Sequence, residues 1–173
     1  MVVLPPVEST NTWAAEQVRA GGLTFPALVT TPHQTAGRGQ FGRSWHGDPS
    51  AIAVTFVLPP LAKLGLELHE LPRTIGDLVA GVVRRYVEAE VVVKWPNDVL
   101  IGGKKVAGVL CENPGDVVLV GIGLNVALDR RHLPEDIIER ATDLASHAKD
   151  KPSRVDVLIE LAGAIVLVMP RDV

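Results

Sequence analysis

Apolar runs joined by very short turns most restrict how this chain can fold. The run Ala51 to Leu58, AIAVTFVL, is rich in β-branched residues and stops at Pro59-Pro60, which is typical of a buried strand. Later runs are separated only by Pro96-Asn97-Asp98, Gly102-Gly103 and Pro114-Gly115. Turns this short can join antiparallel neighbours but cannot supply a crossover between parallel strands. The sequence therefore predicts a mixed, mainly antiparallel sheet. Its predicted strands are Ala27 to Thr31, Ala51 to Leu58, Val91 to Trp95, Val99 to Ile101, Lys105 to Glu112 and Val117 to Val126.

Helical spacing of apolar residues accounts for much of the remaining chain. It predicts a helix from about Leu71 to Val87, and Ser9, Thr10 or Asn11 can cap an earlier one that runs to about Ala20. A short helix is expected from Pro134, and a last one from Ser153 to about Val168. The length of 173 residues suits one core. We therefore expect a single α+β domain over residues 1–173, with its helices packed on one face of the sheet.

Composition excludes several classes of protein. The formal charge is −3 and no block of basic residues occurs, so a nucleic-acid surface is not expected, although a local basic cluster could bind a small anion. The single cysteine, Cys111, lies in an apolar run, favours a buried core thiol over a reactive one and fits a reducing compartment. Neither a signal peptide nor an apolar run of the ~18 residues that span a bilayer is present. We expect a cytoplasmic protein without nucleic-acid or membrane partners.

The segment from Gln34 to Trp45, QTAGRGQFGRSW, has a composition suited to binding an anionic ligand. Its glycines allow backbone N–H groups to approach an anion, and Arg38 and Arg43 offer planar charged groups for phosphate or carboxylate. Trp45 offers a flat face for a purine. The alternative is an ordinary surface loop with solvated arginines. The segment matches neither the Walker phosphate loop nor the dinucleotide fingerprint.

Three further polar positions stand out from apolar surroundings. Lys94 follows three valines, and its ammonium must find an anion, a carboxylate or water, so it either enters a site or faces solvent at a sheet edge. Gly121 and Gly123 weaken the strand that leads to Asn125 unless a ligand or another backbone needs the space. Glu8-Ser9-Thr10-Asn11 is either a helix cap or a grip for a polar ring.

In this order, these segments resemble the signature blocks of biotin protein ligases. The resemblance covers roughly residues 7–145, and it is most specific in the pairing of the glycine-rich loop with K-W-P-N-D. It implies the α+β catalytic domain that these enzymes share with lipoate ligases. The matching blocks are Glu8-Ser9-Thr10-Asn11, Gln34 with Ala36-Gly37-Arg38-Gly39, Gly42-Arg43-x-Trp45, Lys94-Trp95-Pro96-Asn97-Asp98, Lys105-Val106-Ala107-Gly108 and Gly121-Ile122-Gly123-Leu124-Asn125.

The resemblance also implies roles for individual residues. The main catalytic residue would be Lys94, assisted by Arg38 and Arg43. Asn125 would help to place the nucleotide and its Mg²⁺, and no metal site made by the protein alone is expected. Biotin would be bound by Ser9, Thr10, Asn11, Gln34, Gly37, Arg38, Lys94 and Gly108. ATP would be bound by Arg38, Gly39, Gln40, Arg43, Trp45, Lys94, Asn97 and Asn125.

The activity that the resemblance implies is formation of biotinyl-5'-AMP from ATP and biotin, followed by transfer of biotin to a lysine of a biotin carboxyl carrier protein. Exposed sheet edges leave room for a homodimer. Family members usually carry a small C-terminal β-barrel domain, which is not expected within 1–173. An N-terminal helix-turn-helix is not expected either, so a repressor role is unsupported.

Two departures from the family pattern and two rival functions remain open at this point. Gln40 stands where Arg is common, which predicts faster leakage of the adenylate. His46 and Asp48 lie in an unusual segment, where solvation is favoured over a pair between them. The rival functions are a lipoate or octanoate ligase of the same superfamily and a catalytically idle module that binds biotin.

Overall fold

The computed structural model describes residues 1–170 and contains a seven-stranded sheet. The strands are β1 (Val2–Val3), β2 (Ala27–Thr31), β3 (Ile52–Leu58), β4 (Val91–Lys94), β5 (Asp98–Ile101), β6 (Lys104–Glu112) and β7 (Val118–Leu124). The helices are α1 (Thr10–Arg19), α2 (Leu61–Leu64), α3 (Leu71–Val83), α4 (Glu135–Arg140) and α5 (Arg154–Val166).

The sheet is mixed and mainly antiparallel, as the sequence predicts. Its strand order is β1-β2-β3-β7-β6-β5-β4, and only the β1–β2 pair is parallel. Gly102 and Gly103 form the β5–β6 turn with φ values of 55° and 81°, which a glycine adopts without the strain that a Cβ would cause. The predicted α+β class is therefore confirmed.

The central strands are covered on both faces, and α1 lies on the face opposite to the one that the sequence predicts for all helices. Phe56 and Val120 belong to the larger core cluster, which also contains α3 and α5 residues. Val57 and Leu119, which point the other way along the same strands, pack with Ala14 of α1. The prediction of helices on one face holds for α3 and α5 and is wrong for α1. The α1 face of the sheet also carries the cavity described below.

Local sequence signals explain where α1 begins and ends. The Ser9 hydroxyl accepts a hydrogen bond from the Thr12 N–H, and Gly21 follows the last turn with φ 73°. β1 was not predicted because two residues are too short to show an alternating pattern; it is held by pairing with β2. No helix among residues 1–170 is long and apolar enough to cross a membrane.

Candidate functional site

A cavity of about 820 Å³ opens on the α1 face of the sheet and brings the predicted segments together. Arg38 and Lys94 both line this one cavity, although 56 residues separate them in the chain. The predicted site residues that line it are Ser9, Thr10, Asn11, Gln34, Arg38, Gly39, Gln40, Arg43, Trp45, Lys94, Asn97, Gly108 and Asn125.

The charge of the cavity differs in sign from the charge of the chain. Its lining contains six cationic side chains and two carboxylates, whereas the chain carries a formal charge of −3. Such a concentration of positive charge in a concave surface attracts anionic ligands. The cations are Arg38, Arg43, Lys94, Lys104, Lys105 and Arg140, and the carboxylates are Asp98 and Glu139.

One end of the cavity is a buried, hydrogen-bonded set of neutral polar groups. Thr10 is 3% exposed, and its N–H donates to Gln34 Oε1 at 2.8 Å. The Thr55 hydroxyl lies 2.8 Å from the Thr10 hydroxyl and donates to Asn11 Oδ1 at 2.5 Å. Buried polar groups held in this way are fixed in orientation. They can therefore recognise an uncharged ligand that has its own donors and acceptors.

The glycine-rich loop folds over the cavity as a narrow ribbon. The Trp45 N–H donates to the Gly37 carbonyl at 2.9 Å, and the Gly39 N–H donates to the Arg43 carbonyl at 2.7 Å. Gly37 itself is buried behind the lining. A Cβ at this position would come within 2.6 Å of the Trp45 carbonyl oxygen, so packing within the loop explains this glycine. The contact of Gly37 with biotin stays a prediction.

The tip of this ribbon is exposed. Phe41 has φ 57° and is 86% exposed, and the Arg43 guanidinium lies 5.8 Å from the centre of its ring. Arg43 Nε also donates to the Gln40 carbonyl at 3.2 Å. The two predicted nucleotide contacts, Gln40 and Arg43, therefore stand at the cavity rim on the segment most open to solvent.

Trp45 lies on a floor of glycines contributed by β6 and β7. A Cβ on Gly123 would be 2.3 Å from the indole, and one on Gly108 would be 3.5 Å from it. The sequence predicted that the strand glycines make room for a ligand or for another backbone. At Gly123 the space is instead occupied by the Trp45 side chain. Trp45 Nε1 is buried and has no hydrogen-bond partner within residues 1–170.

Lys105 is a cation inside the cavity to which the sequence analysis gave no role. Its Nζ lies 2.6 Å from Asp98 Oδ1 and 5.6 Å from the centre of the Trp45 ring. A Cβ on Gly108 would stand 3.0 Å from the same ammonium, so the lysine extends across a glycine. Lys94, in contrast, is exposed at the end of edge strand β4.

The sequence offered only a weak signal for Lys105. It belongs to a block that resembles the family, but its direction depends on a register shift between Val99 and Leu100 that pairs Asp98 with Gly108. Such an irregularity cannot be derived from alternation alone.

The two asparagines of the site have different environments. Asn97 Nδ2 donates to the Val109 carbonyl at 2.8 Å, which ties the β4–β5 turn to β6. Asn125 is 3% exposed, and its Nδ2 donates to the Thr142 carbonyl at 2.9 Å. Its Oδ1 is buried with no partner among the described residues, so an acceptor at the cavity wall is free for a ligand.

The segment after β7 forms part of the cavity wall, and no sequence pattern predicted this contribution. Ala141 pairs with Lys105, and the Thr142 N–H donates to the Lys105 carbonyl at 2.8 Å. This contact joins segments 36 residues apart, and no local pattern announces it. The lining residues it contributes are Ile137, Glu139, Arg140 and Ala141.

Asp48 is buried rather than solvated, against the sequence-based preference. Its Oδ1 accepts from the Ser50 N–H at 2.7 Å and from the Ala51 N–H at 3.2 Å, just before β3. It also accepts from the Asp129 N–H. His46 is exposed, as predicted. The carboxylate thus joins the start of β3 to the segment after β7.

Comparisons with known proteins agree with this geometry. The model of the biotin/lipoate A/B protein ligase family matches residues 3–129. The chain belongs to the biotin/lipoate A/B protein ligase family. The α+β fold agrees with that membership.

Individual relatives give the same result. The chain is 33% identical over 161 residues to the bifunctional ligase/repressor BirA of Bacillus subtilis, covering 88% of this chain and 48% of that protein. It is 32% identical over 157 residues to the biotin–[acetyl-CoA-carboxylase] ligase of Mycobacterium tuberculosis, covering 88% and 57%. A biotin protein ligase from Aquifex aeolicus in complex with biotin and ATP superposes with a TM-score of 0.83 at 32% identity, covering 96% and 69%. The chain spans about half the length of the curated relatives it matches.

Proposed function

We propose that this family member forms biotinyl-5'-AMP from ATP and biotin and transfers biotin to a lysine of a biotin carboxyl carrier protein. The observation that carries the proposal is the presence, in one cavity, of a neutral hydrogen-bonding set of side chains and of six cationic side chains. The similar proteins named as biotin ligases support the choice of substrates.

The neutral end suits the ureido ring of biotin. A urea has two N–H donors and one carbonyl acceptor, so its partners must include both kinds of group. Thr10 and Gln34 supply a hydroxyl and an amide, and Ser9 supplies another hydroxyl at the same wall. Ser9 already accepts from the Thr12 N–H, so its own O–H remains available to donate. These side chains are the proposed biotin contacts.

The six cationic side chains of the cavity suit the first chemical step. A carboxylate oxygen of biotin attacks the α-phosphorus of ATP, the P–O bond to the β-phosphate breaks, and pyrophosphate leaves. Two anions must approach each other, so cations that are fixed in place stabilise the transition state. Lys105 is held by Asp98 inside the cavity, whereas Lys94 reaches the cavity from an exposed strand end. We therefore assign the stabilising charge to Lys105 first and retain Lys94 as a second contact.

The second step uses the acceptor's own nucleophile. The acceptor lysine, as the neutral amine, attacks the acyl carbon of the mixed anhydride. The C–O bond to AMP breaks, and the amine loses its proton as the amide forms. Holding the anhydride in a closed cavity is the main task of the protein here, and no covalent enzyme intermediate is needed.

Magnesium is implied as the counter-ion of ATP, and the free oxygen of Asn125 fits it. No group of three or more His, Cys, Asp or Glu side chains suited to a metal occurs in the described part of the chain. Asn125 Oδ1 is a buried oxygen that has no partner among the described residues, and such an oxygen is the kind of ligand that a hard cation prefers. When bound, Mg²⁺ would neutralise phosphate charge, with most of its ligands supplied by the nucleotide and water.

The surroundings of the reaction are part of the same proposal. We expect the protein to act in the cytoplasm, where ATP is available. The exposed edges of β1 and β4 leave a homodimer possible as an assembly, and sedimentation would determine the oligomeric state.

The deciding experiment incubates the chain with ATP, Mg²⁺, biotin and a biotin carboxyl carrier domain. We expect pyrophosphate release that requires biotin and a mass increase at one acceptor lysine. The same assay with lipoate tests the rival ligase, because a mass increase with lipoate alone would replace the proposal. Tight biotin binding by calorimetry without pyrophosphate release would leave an idle binding module instead.

A further inference from the structure

We propose that Glu112, at the end of β6, is a positioning residue that fixes the biotin-binding end of the cavity. Its carboxylate is not in the cavity lining, but it joins two segments that are. The inference rests on the proposed function, and it adds a residue to which neither the sequence analysis nor the assigned chemistry gave a role.

The contacts of Glu112 form a bridge between α1 and the glycine-rich loop. Glu112 Oε1 accepts from Arg38 Nη2 at 2.8 Å, and Glu112 Oε2 accepts from Asn11 Nδ2 at 2.9 Å. Arg38 Nη1 also donates to the Thr12 hydroxyl at 3.4 Å. Glu112 Oε2 also accepts from Arg38 Nη1 at 3.5 Å, so the carboxylate holds α1 through Asn11 and the loop through Arg38 at the same time.

The Asn11 arm of this bridge leads directly to the proposed biotin contacts. Asn11 is 3% exposed, and its Oδ1 accepts from the buried Thr55 hydroxyl, which lies beside Thr10. A Cβ on Gly121 would lie 2.4 Å from Asn11 Oδ1, so the asparagine fills the space above that glycine. A side chain confined in this way cannot shift alone. Releasing it from Glu112 would disturb the orientation of the Thr10 hydroxyl.

The Arg38 arm fixes the loop. Arg38 lies between Gly37, whose carbonyl accepts from the Trp45 N–H, and Gly39, whose N–H donates to the Arg43 carbonyl. Both strands of the ribbon are therefore attached through the backbone to the residue that Glu112 holds. With its guanidinium on a carboxylate, Arg38 acts here as an anchor of the loop, and its contacts with biotin and ATP stay predictions.

The exposure of the pair separates positioning from simple stabilisation. The Arg38 and Glu112 side chains are 50% and 28% exposed, and ion pairs of this kind add little to the free energy of unfolding. If this ion pair served stability alone, breaking it would lower the free energy of unfolding only slightly and would leave biotin affinity unchanged. A positioning role predicts a loss of biotin affinity that is larger than the loss of stability.

The test compares Glu112→Ala with Glu112→Gln and with the control Glu88→Ala, which removes a surface partner of Lys149. We expect Glu112→Ala to weaken biotin binding about tenfold by calorimetry and to raise the KM for biotin more than it lowers kcat. Glu112→Gln keeps an acceptor for Asn11 and should recover most of the affinity. Amides of the ribbon should exchange hydrogen faster in Glu112→Ala, and Glu88→Ala should match the wild type in every measurement.

A double variant and a ligand-independent readout make the result decisive. Arg38→Ala combined with Glu112→Ala should bind biotin no more weakly than the weaker single variant, because both remove one bridge. Unchanged biotin affinity and unchanged amide exchange in Glu112→Ala, or strictly additive losses, would overturn the inference. If Glu112→Ala does not fold, Arg38→Ala breaks the loop arm of the same bridge, and unchanged hydrogen exchange of the ribbon amides in that variant would overturn the inference. The proposed function and this inference can fail separately. If the wild-type chain makes no biotinyl-AMP but the ribbon amides still exchange hydrogen faster in Glu112→Ala, the proposed function is wrong and the positioning role of Glu112 is retained.

Discussion

Two lysines reach the cavity from neighbouring strands, and their surroundings differ at the residue scale. Lys105 is held by Asp98 and lies beside the Trp45 ring, whereas Lys94 is exposed on edge strand β4. A fixed cation stabilises a transition state more than a mobile one, because it needs no reorganisation during the reaction. The resemblance to biotin protein ligases implied the catalytic role for Lys94, whereas the local pattern alone left a solvent-facing lysine as the alternative.

The two lysines can be ranked by substitution. We expect Lys105→Ala to lower biotin-dependent pyrophosphate release by well over tenfold, and Lys94→Ala to lower it less. Single-turnover formation of biotinyl-AMP measures this step, and Lys149→Ala, at the surface, serves as the control. A larger loss in Lys94→Ala than in Lys105→Ala would restore the original assignment.

Gln40 at the loop tip carries the second prediction at the residue scale. The family commonly has arginine at this position, and the neutral amide removes one cation from the rim. We expect Gln40→Arg to slow acceptor-free release of biotinyl-AMP by a few-fold, since a charged hydrogen bond to phosphate is stronger than a neutral one. Filter-binding of labelled adenylate measures the rate, with Lys149→Ala, far from the loop at the surface, as the control. Equal release rates in wild type and Gln40→Arg would contradict the explanation.

At the scale of elements, the N-terminus of α5 is tied to the sheet by one arginine. Arg154 Nε donates to the Ala51 carbonyl at 3.0 Å, and its Nη2 donates to the Thr31 carbonyl at 2.9 Å. Desolvation by burial lowers the pKa of this guanidinium from its ordinary value. Thr31 is the last residue of β2, and Ala51 directly precedes β3. The arginine therefore links the first turn of α5 to the end of β2 and the start of β3.

This arrangement makes Arg154 more important for stability than the exposed arginines. We expect Arg154→Ala to lower the free energy of unfolding by about 1–3 kcal/mol, because two carbonyls lose charged donors. Arg85→Ala removes an exposed partner of Glu160 and should cost no more than about 1 kcal/mol. Urea unfolding of both variants gives the comparison, and equal losses would refute the role given to Arg154.

At the scale of the whole molecule, two groups in different places make the fold sensitive to alkaline pH. Burial, with a smaller contribution from Glu112, raises the pKa of the Cys111 thiol to about 12. Burial and the hydrogen bond to Glu160 raise the pKa of Tyr86 to about 12. The folded chain therefore keeps protons that the unfolded chain releases. Stability from these groups is complete below their unfolded pKa values, 9.0 for the thiol and 10.0 for the phenol, and is lost as pH rises towards 12.

The expected result is a free energy of unfolding that falls as the pH rises from about 9 towards 12, by up to about 1.4 kcal/mol per pH unit for the buried Cys111 thiol and by less for Tyr86, whose hydroxyl is partly screened by solvent. Cys111→Ala should flatten the fall from pH 9 upward, and Tyr86→Phe should flatten it from pH 10 upward. Denaturant unfolding at several pH values measures these slopes. Identical slopes in the wild type and both variants would show that neither group is responsible.

The sequence by itself determined what depends on neighbours along the chain. The alternating and helical patterns, the Ser9 cap and the Gly102-Gly103 turn act within a few residues, so the α+β class and most element positions followed from them. The motif blocks also named 14 candidate site residues, and 13 of them line one cavity in the fold. Only Gly37 does not line it.

Tertiary structure alone decided what depends on partners far along the chain. The register shift in β5–β6 directs Lys105 to Asp98, and the placement of α1 on the second face brings Asn11 to Glu112. Neither contact leaves a local pattern, because side-chain direction in a sheet changes with every one-residue shift and helix placement follows from packing of the whole core. The sequence thus identified the residue types that bind and react, whereas the side chains that hold them in position could be identified only from the fold.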